Sequence, residues 1–432
     1  MTREDRTPLA RLTGHPYAVR LGTGPAPEQV LRQLSVARPP LDHISALWGD
    51  WFGGGVVLLH SPRQAYDVGA ALDAAGLLVD QPELRPADGD GAPLVGGGWL
   101  AGLAYSPDRS WLGFYDSLLR WQDGRWTFES LGLEGDRDES DRRLEHWRQL
   151  LVDAAEPSPQ HVPDPPTPSW QVGDFSTAQN PAVARRRHLA AVEEAVGRIH
   201  RGDFYQVNLC TRLYADVTGD PVALFADLAS ALQPSWGALL SPGAPEEQRT
   251  VASFSPELFL RASGRRVTTS PIKGTAPRRP GEESAPMLRA SAKDAAENIM
   301  IVDLMRNDLS RVAAPGSVTV ADLLGLEPHP GVWHLVSTVT AELRPEIDLA
   351  DLLRATFPPG SVTGAPKHTA VQGIAALEGQ IRGVYTGAIG FSSPLAGTEL
   401  NVAIRTFEIT GPTLELGVGG GITVDSVPVR EW

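Results

Sequence analysis

The sequence has one cysteine, Cys210, and no long apolar run. A single cysteine cannot form an intrachain disulfide or a cysteine-based zinc site, and a small buried side chain is its simplest interpretation. No segment approaches the ~18 apolar residues of a membrane-spanning helix. The first residues, Met1 to Arg6, are polar and precede no apolar stretch, so we expect no signal peptide. These absences predict a soluble, cytoplasmic protein.

Positive charge is scarce as well. The 432 residues include 38 lysines and arginines against 52 acidic residues, which gives a formal net charge of −14. Nucleic acids and anionic membrane surfaces bind basic patches, so we expect neither as a partner. A small anionic substrate remains compatible with this charge, because a local pocket can supply donors against the overall sign.

Lysine is the rarest basic residue, and only Lys273, Lys293 and Lys367 are present. Lys273 lies among small and apolar residues in the segment 270–275. Arginine keeps its proton in proteins, whereas lysine can become an amine nucleophile when its pKa is lowered. A bias towards arginine codons would also explain this composition, so both amine chemistry and chance stay open at this point.

Proline density suggests how the chain is divided. The stretch 156–174 is rich in proline and favours an extended linker. We therefore predict an N-terminal region at 1–155, a linker at 156–174 and a second region at 175–432. Chemistry-bearing side chains concentrate in the second region.

Periodicity and turn residues predict an α+β fold with antiparallel sheets. Helices are expected from Pro181 to Gly202, over about 285–310 and over about 365–377. Strands are expected over 204–214, 250–275, 384–392, 400–410 and 414–424. The strands outnumber the helices, and short turns join several of them.

Glu257 and Lys273 form the first candidate pair. Glu257 interrupts an otherwise apolar segment, where a carboxylate is costly to bury without a partner. The spacing allows both side chains to lie on neighbouring strands and to face one pocket. Such a pair could act as a general acid and a nucleophile or base, and a structural ion pair is the alternative.

Three further segments suggest an anionic ligand and a metal ion. The segment 296–308 is apolar yet carries carboxylates, which suits oxygen-ligated Mg²⁺ or a purely structural polar network. The segment 357–367 places small residues and hydroxyls before a helix, an arrangement that favours anion binding, and Lys367 is interpreted as part of this turn. The glycine run 417–422 allows a close approach of backbone to a ligand.

From about residue 180 to its end, the sequence resembles the chorismate-utilising enzymes. The matching segments are 202–208, 255–257, 271–275, 297–308, 334–338, 360–367, 385–387 and 419–426. The resemblance implies an anthranilate synthase component I-like α/β/β/α sandwich with two large antiparallel sheets. The N-terminal region matches more loosely.

Four positions distinguish the branches of this family. Lys273, Ser361 and Thr363 resemble the aminodeoxychorismate synthase component I branch, whereas anthranilate synthases typically have alanine, threonine and serine there. Gln206 stands where the water-using isochorismate and salicylate synthases have a lysine base. The resemblance therefore implies that chorismate and ammonia give 4-amino-4-deoxychorismate, for 4-aminobenzoate and folate or related secondary metabolism. Anthranilate synthase and a non-catalytic chorismate-binding subunit are the alternatives.

The resemblance also implies a role for each matching residue. Lys273 would attack C2 of chorismate, and Glu257 would protonate the departing C4 hydroxyl. The residues implied to bind the substrate are Gly274, Thr275, His334, Ser361, Thr363, Gly364, Tyr385, Arg405, Gly419, Gly420 and Gly421.

A metal ion and a partner subunit complete what the resemblance implies. Mg²⁺ would be held by Glu297 and Glu431. The family has a further Mg²⁺-ligating glutamate three residues beyond the position of Glu431; this sequence ends at Trp432, and we expect that ligand in a longer chain. No glutaminase signature accompanies Cys210, so we expect ammonia from a separate glutamine amidotransferase subunit or from solution.

Overall fold

A computed structural model describes residues 8–85, 93–106, 110–155, 170–177, 181–241, 249–279, 281 and 284–432. The helices α1 to α10 of this part of the chain are Pro27–Val36, Ala71–Leu78, Arg137–Ala155, Pro181–His200, Pro221–Leu232, Ser284–Ala290, Ala292–Ser310, Leu349–Thr356, Lys367–Glu378 and Pro428–Glu431. None of them has the length and apolar character that crossing a bilayer requires.

Strands β1 to β24 make up most of the remaining regular structure. In chain order they are Thr13–Gly14, Tyr17–Gly22, Ser45–Gly49, Gly55–Leu59, Gln64–Val68, Glu83–Leu84, Gly98–Leu103, Ser110–Tyr115, Ser117–Gln122, Arg125–Ser130, Trp170–Val172, Gln206–Gly219, Trp236–Leu240, Arg249–Ser255, Leu258–Ser263, Arg266–Ser270, Ile272–Pro277, Thr319–His329, Val332–Glu342, Gly364–Ala365, Ala388–Ser393, Gly397–Val402, Thr406–Thr410 and Thr413–Ile422.

Within the described residues, all of these strands except β1 and β6 form two large antiparallel sheets, and β1 and β6 pair in a small parallel sheet. The twelve-stranded sheet has the order β11-β12-β24-β23-β14-β13-β3-β4-β9-β10-β2, and β20 pairs with β12. The ten-stranded sheet has the order β17-β19-β16-β15-β22-β21-β7-β8-β5, and β18 pairs with β19. The predicted α+β class with antiparallel sheets is confirmed.

Both sheets combine strands from either side of the proline-rich segment. β13 pairs with β3 in the larger sheet, and β21 pairs with β7 in the smaller one. The two regions thus share their sheets. Most of the predicted linker, 156–169, lies outside the described residues, so the boundary at 156–174 stays a prediction.

Apolar side chains divide the molecule into layers. Leu47, Val57 and Leu100 belong to a buried cluster between the two sheets. Helices α1, α3 and α5 cover the outer face of the larger sheet, where Leu31, Trp147 and Phe225 share one cluster. Helices α2, α7 and α8 pack on the smaller sheet. Burial on both faces of each sheet produces the α/β/β/α sandwich that the resemblance implied.

The predicted elements of the second region are present with shifted boundaries. The helix expected over about 285–310 is two helices, α6 and α7, because Ser291 caps α7 by accepting a hydrogen bond from the Asp294 N–H. The stretch 250–275 is divided among β14 to β17. One break matters for the site: between Ser255 and Leu258 the chain leaves the larger sheet and enters the smaller one.

Candidate active site

A cavity of about 550 Å³ lies where the chain passes between the two sheets. Seven of the residues predicted from the sequence line it: Glu257, Lys273, Ser361, Tyr385, Arg405, Gly419 and Gly420. Its volume lies in the range of small-molecule sites. The sequence therefore predicted a set of residues that the fold brings together from several separate strands and turns.

Lys273 enters this cavity from the start of β17. Its Nζ donates a hydrogen bond to the Ser361 carbonyl oxygen at 2.9 Å. Burial lowers the pKa of the lysine, and the charges of Glu257 and Glu297 oppose that change. A lowered pKa increases the neutral fraction of the amine, which is the form that attacks carbon.

Glu257 occupies the crossing between the sheets and is only 3% exposed. Burial raises the pKa of its carboxyl to about 7, against the opposing effects of the Ser361 hydroxyl and the positive charges of Lys273 and Arg405. A carboxyl with this pKa carries a proton in a substantial fraction of molecules at neutral pH. Glu257 can therefore act as a general acid beside the amine.

Arg405 closes another part of the wall, with two predicted residues behind it. Its guanidinium donates to Nε2 of His334 at 3.2 Å, and Thr275 Oγ1 lies 2.9 Å from Nδ1 of the same ring. Burial and the charge of Arg405 lower the pKa of His334 to about 4, so the imidazole is neutral at pH 7. His334 and Thr275 therefore orient Arg405 without lining the cavity themselves.

Comparison with known proteins identifies the family. Residues 73–432 match the model of the chorismate binding enzymes. The chain belongs to the chorismate binding enzyme family. Aminodeoxychorismate synthase component 1 of Escherichia coli (strain K12) is 33% identical over 445 residues, covering 98% of this chain and 92% of that protein. This membership confirms the resemblance seen in the sequence.

Two further relatives bear on the activity and the fold of this chorismate binding enzyme. Anthranilate synthase component 1 of Thermus thermophilus is 39% identical over 253 residues, 58% of this chain and 54% of that protein. The crystal structure of anthranilate synthase component I from Streptococcus pneumoniae TIGR4 matches with a TM-score of 0.68 at 25% identity. It covers 96% of this chain and 89% of that chain, and it confirms the anthranilate synthase component I-like fold.

The turn before α9 shapes the cavity of this chorismate binding enzyme through its backbone. Gly364 has φ of +149°, and a Cβ there would lie 2.2 Å from the Gln206 carbonyl oxygen, so only glycine fits. The Thr363 hydroxyl donates to the Gly360 carbonyl at 3.0 Å and is fully buried. Thr363 and Gly364 thus hold the turn that presents Ser361, and neither lines the cavity.

The contacts of Lys367 do not support its interpretation as part of an anion-binding turn. Its Nζ lies 2.5 Å from Asp308 Oδ2 and donates to the carbonyl oxygens of Thr356 at 2.5 Å and Pro358 at 2.7 Å. Two hydrogen bonds and an ion pair thus hold the ammonium in place. Lys367 therefore ties α7 to the turn and is not available to a ligand.

Residues 417–420 of β24 form part of the cavity wall. Gly419 and Gly420 line it, and a Cβ on Gly420 would meet nothing within 4 Å, which leaves space for a ligand. A Cβ on Gly421 would lie 2.3 Å from the Gln206 side-chain nitrogen, so Gly421 makes room for that side chain. Gly274 has φ of +91° and lets the chain turn between Lys273 and its neighbour on β17.

Glu297 on α7 and Glu431 on α10 are the two residues predicted to hold a metal ion. Burial raises the pKa of Glu297, and the negative charges of Asp294 and Glu431 add to the rise. Ser426 Oγ donates to Glu431 at 2.7 Å. Two carboxylates that repel each other fit a divalent cation, and Mg²⁺ often uses only one or two protein carboxylates with substrate oxygens. No cluster of three acidic, histidine or cysteine ligands occurs in the part of the chain that the structure describes.

Two polar residues of the site were not assigned a role from the sequence. Asn208 of β12 lines the cavity. Arg382 lies outside the cavity but is almost completely buried, only 2% exposed. In the sequence, Arg382 is visible only as a charged residue just before the segment 383–387. Its role can be assigned only when the groups that it contacts in the folded structure are known.

Proposed function

We propose that this protein is an aminodeoxychorismate synthase component I, which converts chorismate and ammonia to 4-amino-4-deoxychorismate. The observation that carries the proposal is the meeting of Lys273 and Glu257 in one cavity, where the Ser361 carbonyl oxygen accepts a hydrogen bond from the lysine. The full-length similarity to the Escherichia coli enzyme of that name supports it. An arginine-rich chain that places a lysine with a lowered pKa here has an amine suited to covalent chemistry.

The proposed reaction uses these two side chains in two steps. The neutral Lys273 amine attacks C2 of the ring, the double bond shifts, and the C4 hydroxyl leaves as water after taking the proton of Glu257. Ammonia then attacks C4, the double bond shifts back, the neutral lysine amine leaves from C2, and the new ammonium group returns a proton to Glu257. The sum is chorismate plus ammonia giving aminodeoxychorismate plus water. An ordinary lysine, with a pKa of ~10.4, is neutral in only about one molecule in a few thousand at pH 7, so the lowered pKa of Lys273 is essential.

The remaining wall suits the two carboxylates of chorismate. Arg405 and the Tyr385 hydroxyl supply donors, and the backbone at Gly419 and Gly420 allows a close approach. Hydrogen bonds between a guanidinium and a carboxylate are among the stronger polar contacts in proteins. These local donors explain how an anion binds to a protein with a net charge of −14.

Glu297 and Glu431 would hold Mg²⁺ in the proposed enzyme. The bound ion would neutralise a carboxylate of the substrate and the mutual repulsion of the two glutamates. Ammonia would come from a separate glutamine amidotransferase subunit, in keeping with the name component 1 of the relatives. We place the protein in the cytoplasm, where chorismate and reduced thiols are available.

The test is the substitution K273R with chorismate, Mg²⁺ and ammonium as the substrates. Arginine keeps the positive charge but cannot become a neutral nucleophile. We expect the rate of aminodeoxychorismate formation to fall at least about a thousandfold, because the covalent step is removed. Wild type supplied with chorismate without ammonium should show a covalent adduct on Lys273 by mass spectrometry of the intact protein.

The product distinguishes the proposal from its alternative. Release of pyruvate with a fluorescent aromatic amine from wild type would identify an anthranilate synthase, the activity named for the Thermus thermophilus relative. K273R with wild-type turnover and no adduct on wild type would remove the nucleophilic role of Lys273. Chorismate binding without turnover would identify a binding subunit.

A further inference from the structure

Arg382 lies between α9 and β21, where it is almost completely withdrawn from water. Its guanidinium lies 4.5 Å from the centre of the Tyr105 ring and makes a cation–π interaction with it. Its Nε donates to Glu378 Oε2 at 2.9 Å, and one terminal nitrogen donates to Oε1 of the same carboxylate at 2.6 Å. This two-point ion pair compensates a charge that would be costly to bury alone.

The other hydrogen bonds of Arg382 reach three separate segments of the cavity wall. It donates to the carbonyl oxygens of Val362 at 2.9 Å and Asn208 at 2.7 Å, and to Thr386 Oγ1 at 3.3 Å. Asn208 and Val362 line the cavity themselves, and Thr386 follows the cavity residue Tyr385. One buried side chain therefore connects β12, the turn after Pro359 and the turn that leads into β21.

The geometry uses the full donor capacity of the side chain. A guanidinium has five N–H groups in a fixed plane, and Arg382 makes five hydrogen bonds. A lysine at this position would have three donors on a single nitrogen and could not reach all these acceptors. A residue needed only to neutralise Glu378 would not require this arrangement.

We propose that Arg382 is a positioning residue for the reaction. It fixes the wall segments that carry Ser361, Asn208 and Tyr385 relative to one another without touching the substrate. Through Val362 it holds Ser361, whose carbonyl oxygen accepts a hydrogen bond from Lys273. The proposal rests on the proposed function, since it concerns the placement of the same acid and amine.

The first test is R382K, assayed with chorismate, Mg²⁺ and ammonium. Displacement of reacting groups by about 1 Å can reduce rate about a hundredfold, so we expect kcat to fall by about tenfold to a hundredfold. Burial raises the pKa of Glu257 and the charge of Lys273 opposes that rise, so displacement of the Ser361 carbonyl that holds Lys273 should move the basic limb of the kcat/KM profile to higher pH. A merely structural arginine would leave that limb unchanged.

The matched control is R120K. Arg120 is 6% exposed and is also held by a buried carboxylate, Glu129, and by backbone carbonyls, but it lies away from the cavity. We expect R120K to lose stability while keeping the wild-type kcat, KM and pH profile per folded molecule. Should R382K fail to fold, T386V removes one of the five acceptors, and we expect a several-fold loss of kcat with the same pH displacement.

The outcomes separate this inference from the proposed function. If wild type does not aminate chorismate, the proposed function fails. If wild type is active while R382K or T386V has the wild-type kcat, KM and pH profile per folded molecule, the positioning role is overturned. Equal changes of the profile in R382K and R120K would also overturn it, since a general loss of stability would then explain both.

Discussion

Because Glu257 is buried, we expect it to contribute to turnover while it lowers the free energy of unfolding at alkaline pH. The carboxyl is 3% exposed and lies where the chain crosses between the sheets. Substitution by glutamine keeps the shape of the side chain and removes the ionisable group. We expect E257Q to lose turnover by about 10²-fold to 10⁴-fold, the usual contribution of a general acid, and yet to be more stable than wild type at alkaline pH.

The magnitude follows from the pKa difference between the folded and unfolded states. In the unfolded chain the carboxyl has its ordinary pKa of 4.5, whereas burial raises the pKa to about 7 in the folded protein. The folded state binds the proton more tightly, so this contribution to stability is complete below pH 4.5 and is lost as the pH rises through 7. The difference between the two pKa values corresponds to about 3 kcal/mol in the free energy of unfolding, at about 1.4 kcal/mol per pKa unit.

Urea unfolding at two pH values measures this effect. At pH 8 we expect the free energy of unfolding of E257Q to exceed that of wild type by about 3 kcal/mol, and at pH 5 by about 1 kcal/mol. E145Q, which removes an exposed carboxylate from α3, controls for the loss of one negative charge. The reasoning is refuted if E257Q is less stable than wild type at pH 8, or if its advantage is the same at both pH values.

Two further predictions concern the ion pair below the turn and the metal site. K367M leaves Asp308 buried at 3% side-chain exposure without its cation, so the free energy of unfolding by urea should fall by about 3–5 kcal/mol. D308N/K367M should recover part of that loss, and a wild-type unfolding midpoint for K367M would contradict the structural role. E297Q should raise the Mg²⁺ concentration for half-maximal turnover at least about tenfold and reduce the stabilisation by Mg²⁺ in thermal unfolding. An unchanged Mg²⁺ dependence of both quantities would argue against Glu297 as a ligand.

The sequence predicted the fold class and the central pair because these signals are local. Strand-like periodicity and short turns indicate antiparallel sheets, and a lone carboxylate or amine among apolar residues is visible in any single segment. Arg382 could not be predicted, because its meaning depends on acceptors contributed by Asn208 and Val362, which are distant in the sequence. The interpretation of Lys367 as part of an anion-binding turn was wrong for the same reason, since its partner Asp308 lies on another helix and is distant in the sequence.

The contrast between Lys273 and Lys367 explains why only one of them is suited to amine chemistry. Lys367 makes two hydrogen bonds to backbone carbonyls and an ion pair with Asp308, so losing its proton would break a compensated buried ion pair. Among the described residues, Lys273 has the Ser361 carbonyl as its hydrogen-bond acceptor, and the residue lines the cavity. Deprotonation of Lys273 would therefore remove one hydrogen bond to the protein, and Glu257, the proposed general acid, lines the same cavity. In the proposed mechanism the same residue type is therefore structural at Lys367 and reactive at Lys273, because the fixed partners around the two amines differ.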